Sequence, residues 1–146
     1  MTGLADIGVQ VESASSMTGA APAVLREIES MLVELIERGT LGRIDLRSLP
    51  LSPADLDWLA GALGEGEVQA SVETMGSSDV LETGVFGVWW VRHFDEGGNV
   101  TADFIEVTQL PELLKTHPAD MQAGLARLRE QMNTLQNLEE GDGHVR

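Results

Sequence analysis

Residues 85–94 constrain the fold more than any other stretch, because they are apolar on both alternating faces. An extended chain points successive side chains to opposite sides of a sheet. Phe86, Val88 and Trp90 would then face one way, and Trp89 and Val91 the other. A strand of this kind belongs in the middle of a sheet that is covered on both sides. Adjacent Trp89 and Trp90 sharpen the point: one serves the core, and the other needs a second cover, either a helix or a partner protein.

The flanking sequence supplies the rest of the sheet. Val68, Ala70 and Val72 alternate with polar residues, as in a half-solvated antiparallel strand. Gly76-Ser77-Ser78-Asp79 reads as a turn, residues 80–83 as renewed extension, and Gly84 as a kink or bulge. Asp95-Glu96-Gly97-Gly98-Asn99 reads as a hairpin loop, after which residues 100–107 pair back. Ile44 and Leu46 alternate with Asp45 and Arg47 as a short strand further upstream.

Helical spacing appears three times. Leu25, Ile28, Leu32, Leu35 and Ile36 predict a helix over 23–38, with Pro22 in its first turn and Gly39 just past its end. Ser52-Pro53-Ala54-Asp55 combines a capping serine, a first-turn proline and an acid at the third position. It opens a helix whose face is Leu56, Leu59 and Leu63. Met121, Leu125, Leu128, Met132, Leu135 and Leu138 stripe a longer helix that starts at Pro118. The predicted fold is α+β: an antiparallel β-meander of three to five strands packed with two to three α-helices. Residues 1–20 form a flexible lead-in or, through Ile7, Val9 and Val11, an edge strand. Residues 21–138 form one domain and 139–146 a polar tail.

Chemistry is scarce. The chain has no cysteine, which removes disulfides, thiolate metal sites and a cysteine nucleophile. His93, His117 and His144 share no metal-pair spacing, and the glycines of Gly61-Ala62-Leu63-Gly64-Glu65-Gly66 end a helix where phosphate-binding glycines precede one. No catalytic, cofactor or metal residue is therefore assigned. A net charge of −15 repels nucleic acid and anionic membranes and favours a basic protein partner. No stretch has the roughly 20 apolar residues of a membrane span, and residues 1–18 lack the features of an export signal. The expected location is cytoplasmic and the expected action non-enzymatic.

One segment resembles a known family. Glu82-Thr83-Gly84-Val85-Phe86-Gly87-Val88-Trp89-Trp90-Val91, followed by Phe104-Ile105-Glu106-Val107 and Leu110-Pro111, resembles the C-terminal conserved region of the HupH/HyaF (also HoxQ) hydrogenase expression proteins. In that family a Glu-Thr pair precedes a Gly-Val-Trp strand, and an Ile-Glu-Val segment leads into a proline-containing stretch. The likeness covers residues 40–118, and family members are usually near twice this length. The resemblance implies a cytoplasmic assembly chaperone for uptake nickel–iron hydrogenase, acting on the small-subunit precursor before export. A second maturation chaperone is a further candidate partner, and no cofactor is implied. Glu82, Thr83, Trp89, Trp90 and Glu106 are the candidate partner-binding residues. Two rivals stand beside this reading: a homodimeric interaction module joined through the long C-terminal helix, and a weak metal-delivery protein using His93 with nearby acids.

Overall fold

The computed structural model describes residues 16–144. The alternating Ile7, Val9 and Val11 lie outside them. The described residues divide into two compact units, one up to Pro111 and one from Glu112.

The first unit carries α1 (Ala21–Arg38), β1 (Gly42–Asp45), a 3-10 turn (Leu46–Ser48), α2 (Pro53–Leu63), β2 (Gln69–Glu73), β3 (Ser77–Glu82), β4 (Val88–Phe94) and β5 (Val100–Val107). The strands make one antiparallel sheet in the order β1-β5-β4-β3-β2. Strands β2 to β5 are the expected meander, and β1 joins its β5 edge with Ile44 opposite Ile105. The fold is α+β.

Helix α1 ends as its sequence requires: Gly39 takes φ 70°, and its N–H donates to the Leu35 carbonyl. Helix α2 starts on a complete capping box, with Ser52 and Asp55 exchanging side-chain and backbone hydrogen bonds. Val24 and Ile28 of α1 and Leu59 and Leu63 of α2 pack on Ile44, Val88, Trp90, Ile105 and Val107. Each such burial contributes on the order of 1.5–3 kcal/mol. Ile36, on the expected apolar face of α1, is instead 76% exposed.

Asp55 does more than complete a cap. It is buried, and its carboxylate also accepts from the Thr18 backbone N–H at 3.0 Å and the Thr18 hydroxyl at 2.6 Å. The Thr18 hydroxyl and the Ser52 N–H hold its pKa down from 3.8 to about 2. The folded state therefore binds this proton more weakly than the unfolded chain. The stabilisation is present above about pH 4 and is lost as pH falls towards 2. Asp55→Asn is expected to melt below wild type at neutral pH, with the gap closing between about pH 4 and 2. A gap constant across that range in parallel thermal melts would contradict this assignment.

Two local expectations are corrected. Ser77, Ser78 and Asp79 are not a turn. They lie in β3 opposite Glu73, Val72 and Ser71 on one side and Phe94, His93 and Arg92 on the other. The turn sits at residues 74–76, where Thr74 N–H donates to the Gly76 carbonyl. Residues 85–87 are likewise outside β4, which begins at Val88.

The second unit holds a 3-10 turn (Glu112–Leu114) and α3 (Pro118–His144). Lys115 pairs with Glu112 at 2.6 Å, and His117 Nδ1 accepts the Ala119 N–H at the helix start. The helix continues beyond the last apolar residue of its stripe, Leu138, through the polar residues 139–144. Among the described residues, no helix is long and apolar enough to cross a membrane.

Candidate partner-binding surface

The register of the sheet lines up three of the singled-out residues. Glu82 on β3 lies opposite Trp89 on β4, and Trp89 lies opposite Glu106 on β5. Arg43 on β1 completes the row opposite Glu106. Glu82 and Glu106 are thus not on adjacent strands, because β4 and its tryptophan run between them. The row continues into Val80, Val91 and Phe104 at the next non-adjacent positions on the same face. Arg43 stacks its guanidinium 3.6 Å from the Phe104 ring centroid and approaches Glu106 at 4.0 Å. Glu82 Oε1 accepts the Glu67 N–H at 2.9 Å, so this carboxylate is already employed at the entry to β2.

Trp90 faces the opposite side, beneath the helices, and donates its indole N–H to Asp103. Asp103 also pairs with Arg92 at 3.2 Å. Both tryptophans are buried, Trp89 at 5% and Trp90 at 8% exposure. Neither is the uncovered side chain that adjacency on a central strand suggested. Trp89 satisfies its indole N–H on the Thr108 carbonyl at 3.2 Å.

What the surrounding motif presents to solvent is the turn at residues 84–87. Thr83 is buried at its base. Its hydroxyl has one proton, best placed on the Val88 carbonyl at 2.8 Å, and its oxygen accepts the Val85 N–H at 3.2 Å. Val88 N–H closes the turn on the Val85 carbonyl, and Thr108 N–H ties the Gly87 carbonyl to the end of β5. Gly87 takes φ 92°, and a Cβ there would lie 3.1 Å from Leu32 Cδ1 of α1. The result is a fastened loop whose tip, Phe86, is 78% exposed. Sequence alternation placed Phe86 in a strand; the signal it overrode was Gly84 and Gly87 bracketing only two residues.

Beside this turn lies a hollow of about 420 Å³ lined by Leu25, Ile28, Leu32, Leu63 and Val85 together with the charged Arg26 and Glu29. Ile36, one helical turn beyond Leu32, extends the apolar exposure. Exposed apolar side chains gathered around a hollow make this end of the unit a candidate docking surface. A second hollow of about 290 Å³ between α2 and the sheet is acidic, with Asp57, Glu65, Asp79 and Glu82 around Arg92. Ser78 Oγ and His93 Nδ1 are 2.6 Å apart, and among the described residues no group of three or more His, Asp or Glu is placed to hold a metal.

The Glu82-Thr83 pair depends on a close crossing. Gly66 N–H donates to the Glu82 carbonyl, and a Cβ on Gly66 would come within 2.5 Å of the Thr83 carbonyl oxygen. Gly66→Ala is therefore expected to destabilise by about 1–3 kcal/mol in a urea titration. Stability within about 0.5 kcal/mol of wild type would show that the crossing relaxes freely.

The family described as HupH hydrogenase expression protein, C-terminal conserved region, matches residues 18–135. The chain belongs to this family. Its match reaches further in both directions than the 40–118 likeness visible in the motifs. The HupH/HoxQ relatives include the hydrogenase expression/formation protein HoxQ of Azotobacter vinelandii, 30% identical over 81% of this chain and 45% of that protein. The corresponding HupH of Rhizobium leguminosarum bv. viciae is 31% identical over 80% of this chain and 44% of its own length. This chain thus spans a little under half the length of these curated relatives. A solved structure, the hydrogenase expression protein HupH from Thiobacillus denitrificans, superposes with a TM-score of 0.79 at 44% identity, covering 82% of this chain and 99% of that one.

Proposed function

We propose that this HupH-family chain is a non-enzymatic assembly chaperone in the maturation of an uptake nickel–iron hydrogenase, holding the small-subunit precursor in the cytoplasm before export. The observation that carries the reading is Phe86, displayed at the tip of a turn that the family-like Glu82-Thr83 segment, Trp89 and Thr108 fasten from beneath. A subunit awaiting its clusters and its large partner exposes apolar surface, and Phe86 with the neighbouring hollow offers a complementary one. In this reading Thr83, Trp89 and Trp90 act by fixing the surface, while Phe86 makes the contact. Glu106, held only loosely by Arg43 at 4.0 Å, exchanges that partner for a basic group on the client, and Glu82 lies on the far side of Trp89 in the same row. The net charge of −15 steers a basic client toward the domain. A second maturation chaperone would join through a different face.

Affinity capture from cells expressing the hydrogenase tests the proposal. Tagged wild type is expected to recover the small-subunit precursor, and Phe86→Asp to lose it while remaining folded. Equal recovery by both proteins would move the contact elsewhere on the domain.

A further inference from the structure

Helix α3 has a surface that the chaperone reading leaves unused. Met121, Leu125, Leu128, Met132 and Leu135 recur at steps of four, three, four and three, and Leu138 follows three residues on. These six side chains are 47–66% exposed, and among the described residues of the second unit nothing covers them. Helices in proteins gain most of their stability from packing an apolar face, so a 27-residue helix with a bare apolar stripe calls for a cover.

The spacing says what kind of surface would cover this one. A repeat averaging 3.5 residues keeps its seam facing a second helix along the whole length, whereas a helix lying on a globular core shows a broader stripe. The charges say which helix. Residues 118–138 carry two acids, Asp120 and Glu130, and two bases, Arg127 and Arg129, so this stretch is neutral in a chain of net charge −15. The positions bordering the seam are Gln122, Gly124, Arg129, Gln131 and Gln136, of which only Arg129 is charged. In helix pairs that select a different partner, those bordering positions carry the charges that choose it. Here two identical faces meet without acid facing acid. The acids Glu139, Glu140 and Asp142 lie beyond the end of the heptad pattern.

We propose that α3 pairs with α3 of a second copy of this chain, along the Met121–Leu125–Leu128–Met132–Leu135 seam. The interface is self-complementary about a two-fold axis. Its seam is only about two and a half heptads long, so the dimer dissociates on dilution.

Sedimentation of the full chain over a wide concentration range tests this without reference to hydrogenase. Wild type is expected to pass from one to two chain masses as concentration rises. Leu128→Glu places two carboxylates in the seam and is expected to weaken the dimer by at least about tenfold. Leu128→Ala keeps helix propensity and gives a smaller weakening in the same direction. Asn133→Glu adds the same charge off the seam and leaves the dimer unchanged. Circular dichroism checks that α3 persists in each variant. A wild type that stays monomeric at every concentration would mean that another surface covers the seam, and would overturn the proposal. So would a dimer that survives Leu128→Glu.

Discussion

Trp90→Ala is expected to destabilise the first unit by about 3–5 kcal/mol, a large part of the roughly 5–15 kcal/mol that holds a typical domain folded. The side chain sits among Val24, Ile28, Leu59, Leu63, Ile105 and Val107, where the two helices meet the sheet. Its loss leaves a cavity that α1, α2 and β5 cannot all close around, because each is also fixed to the others. It also strands Asp103, which is buried and accepts the indole N–H. Asp103 keeps only its pair with Arg92, whose Nε is already buried without a partner. Urea titration of the variant is the measurement, and a midpoint near wild type would mean that the core repacks. Loss of a client on Trp90→Ala reports loss of the fold, so this residue does not locate the contact.

Phe86→Asp separates the two effects. Phe86 is 78% exposed, so its replacement is expected to change stability by no more than about 0.5 kcal/mol. Aromatic side chains that anchor an interface typically contribute at least about 2 kcal/mol to it. Client binding is therefore expected to weaken roughly thirtyfold or more. The turn backbone is held by Thr83, Val88 and Thr108 and does not depend on the Phe86 ring. A variant that binds the client as tightly as wild type would remove Phe86 from the interface. A variant that unfolds would show that the ring supports the turn after all.

Much of the architecture was legible because it rests on short-range rules. The capping box at Ser52 and Asp55, the left-handed Gly39 and the limits of β5 at Val100 and Val107 follow from local spacing. Long-range ties were not legible. Nothing in residues 52–55 reveals that Asp55 is bonded to Thr18, 37 residues away, or that β1 pairs with β5. The two corrected segments failed for opposite reasons. Ser77 to Asp79 look like a turn by composition, yet β3 is paired on both sides and satisfies their backbone there. Val85 and Phe86 look like strand by apolarity, yet Thr83 and the left-handed Gly87 close a turn beneath them. The candidate site suffered from the second error. Adjacency singles out the two tryptophans as contact residues, while the most exposed aromatic among the described residues is Phe86, inside an apolar run that reads as strand.

The most direct test of the chaperone account is to titrate this chain against purified hydrogenase small-subunit precursor and, separately, against the assembled enzyme. Saturable binding to the free precursor, abolished by Phe86→Asp, is expected, with no binding to the enzyme whose subunit surface is already covered. Equal binding to both forms, or none to the precursor, would contradict it.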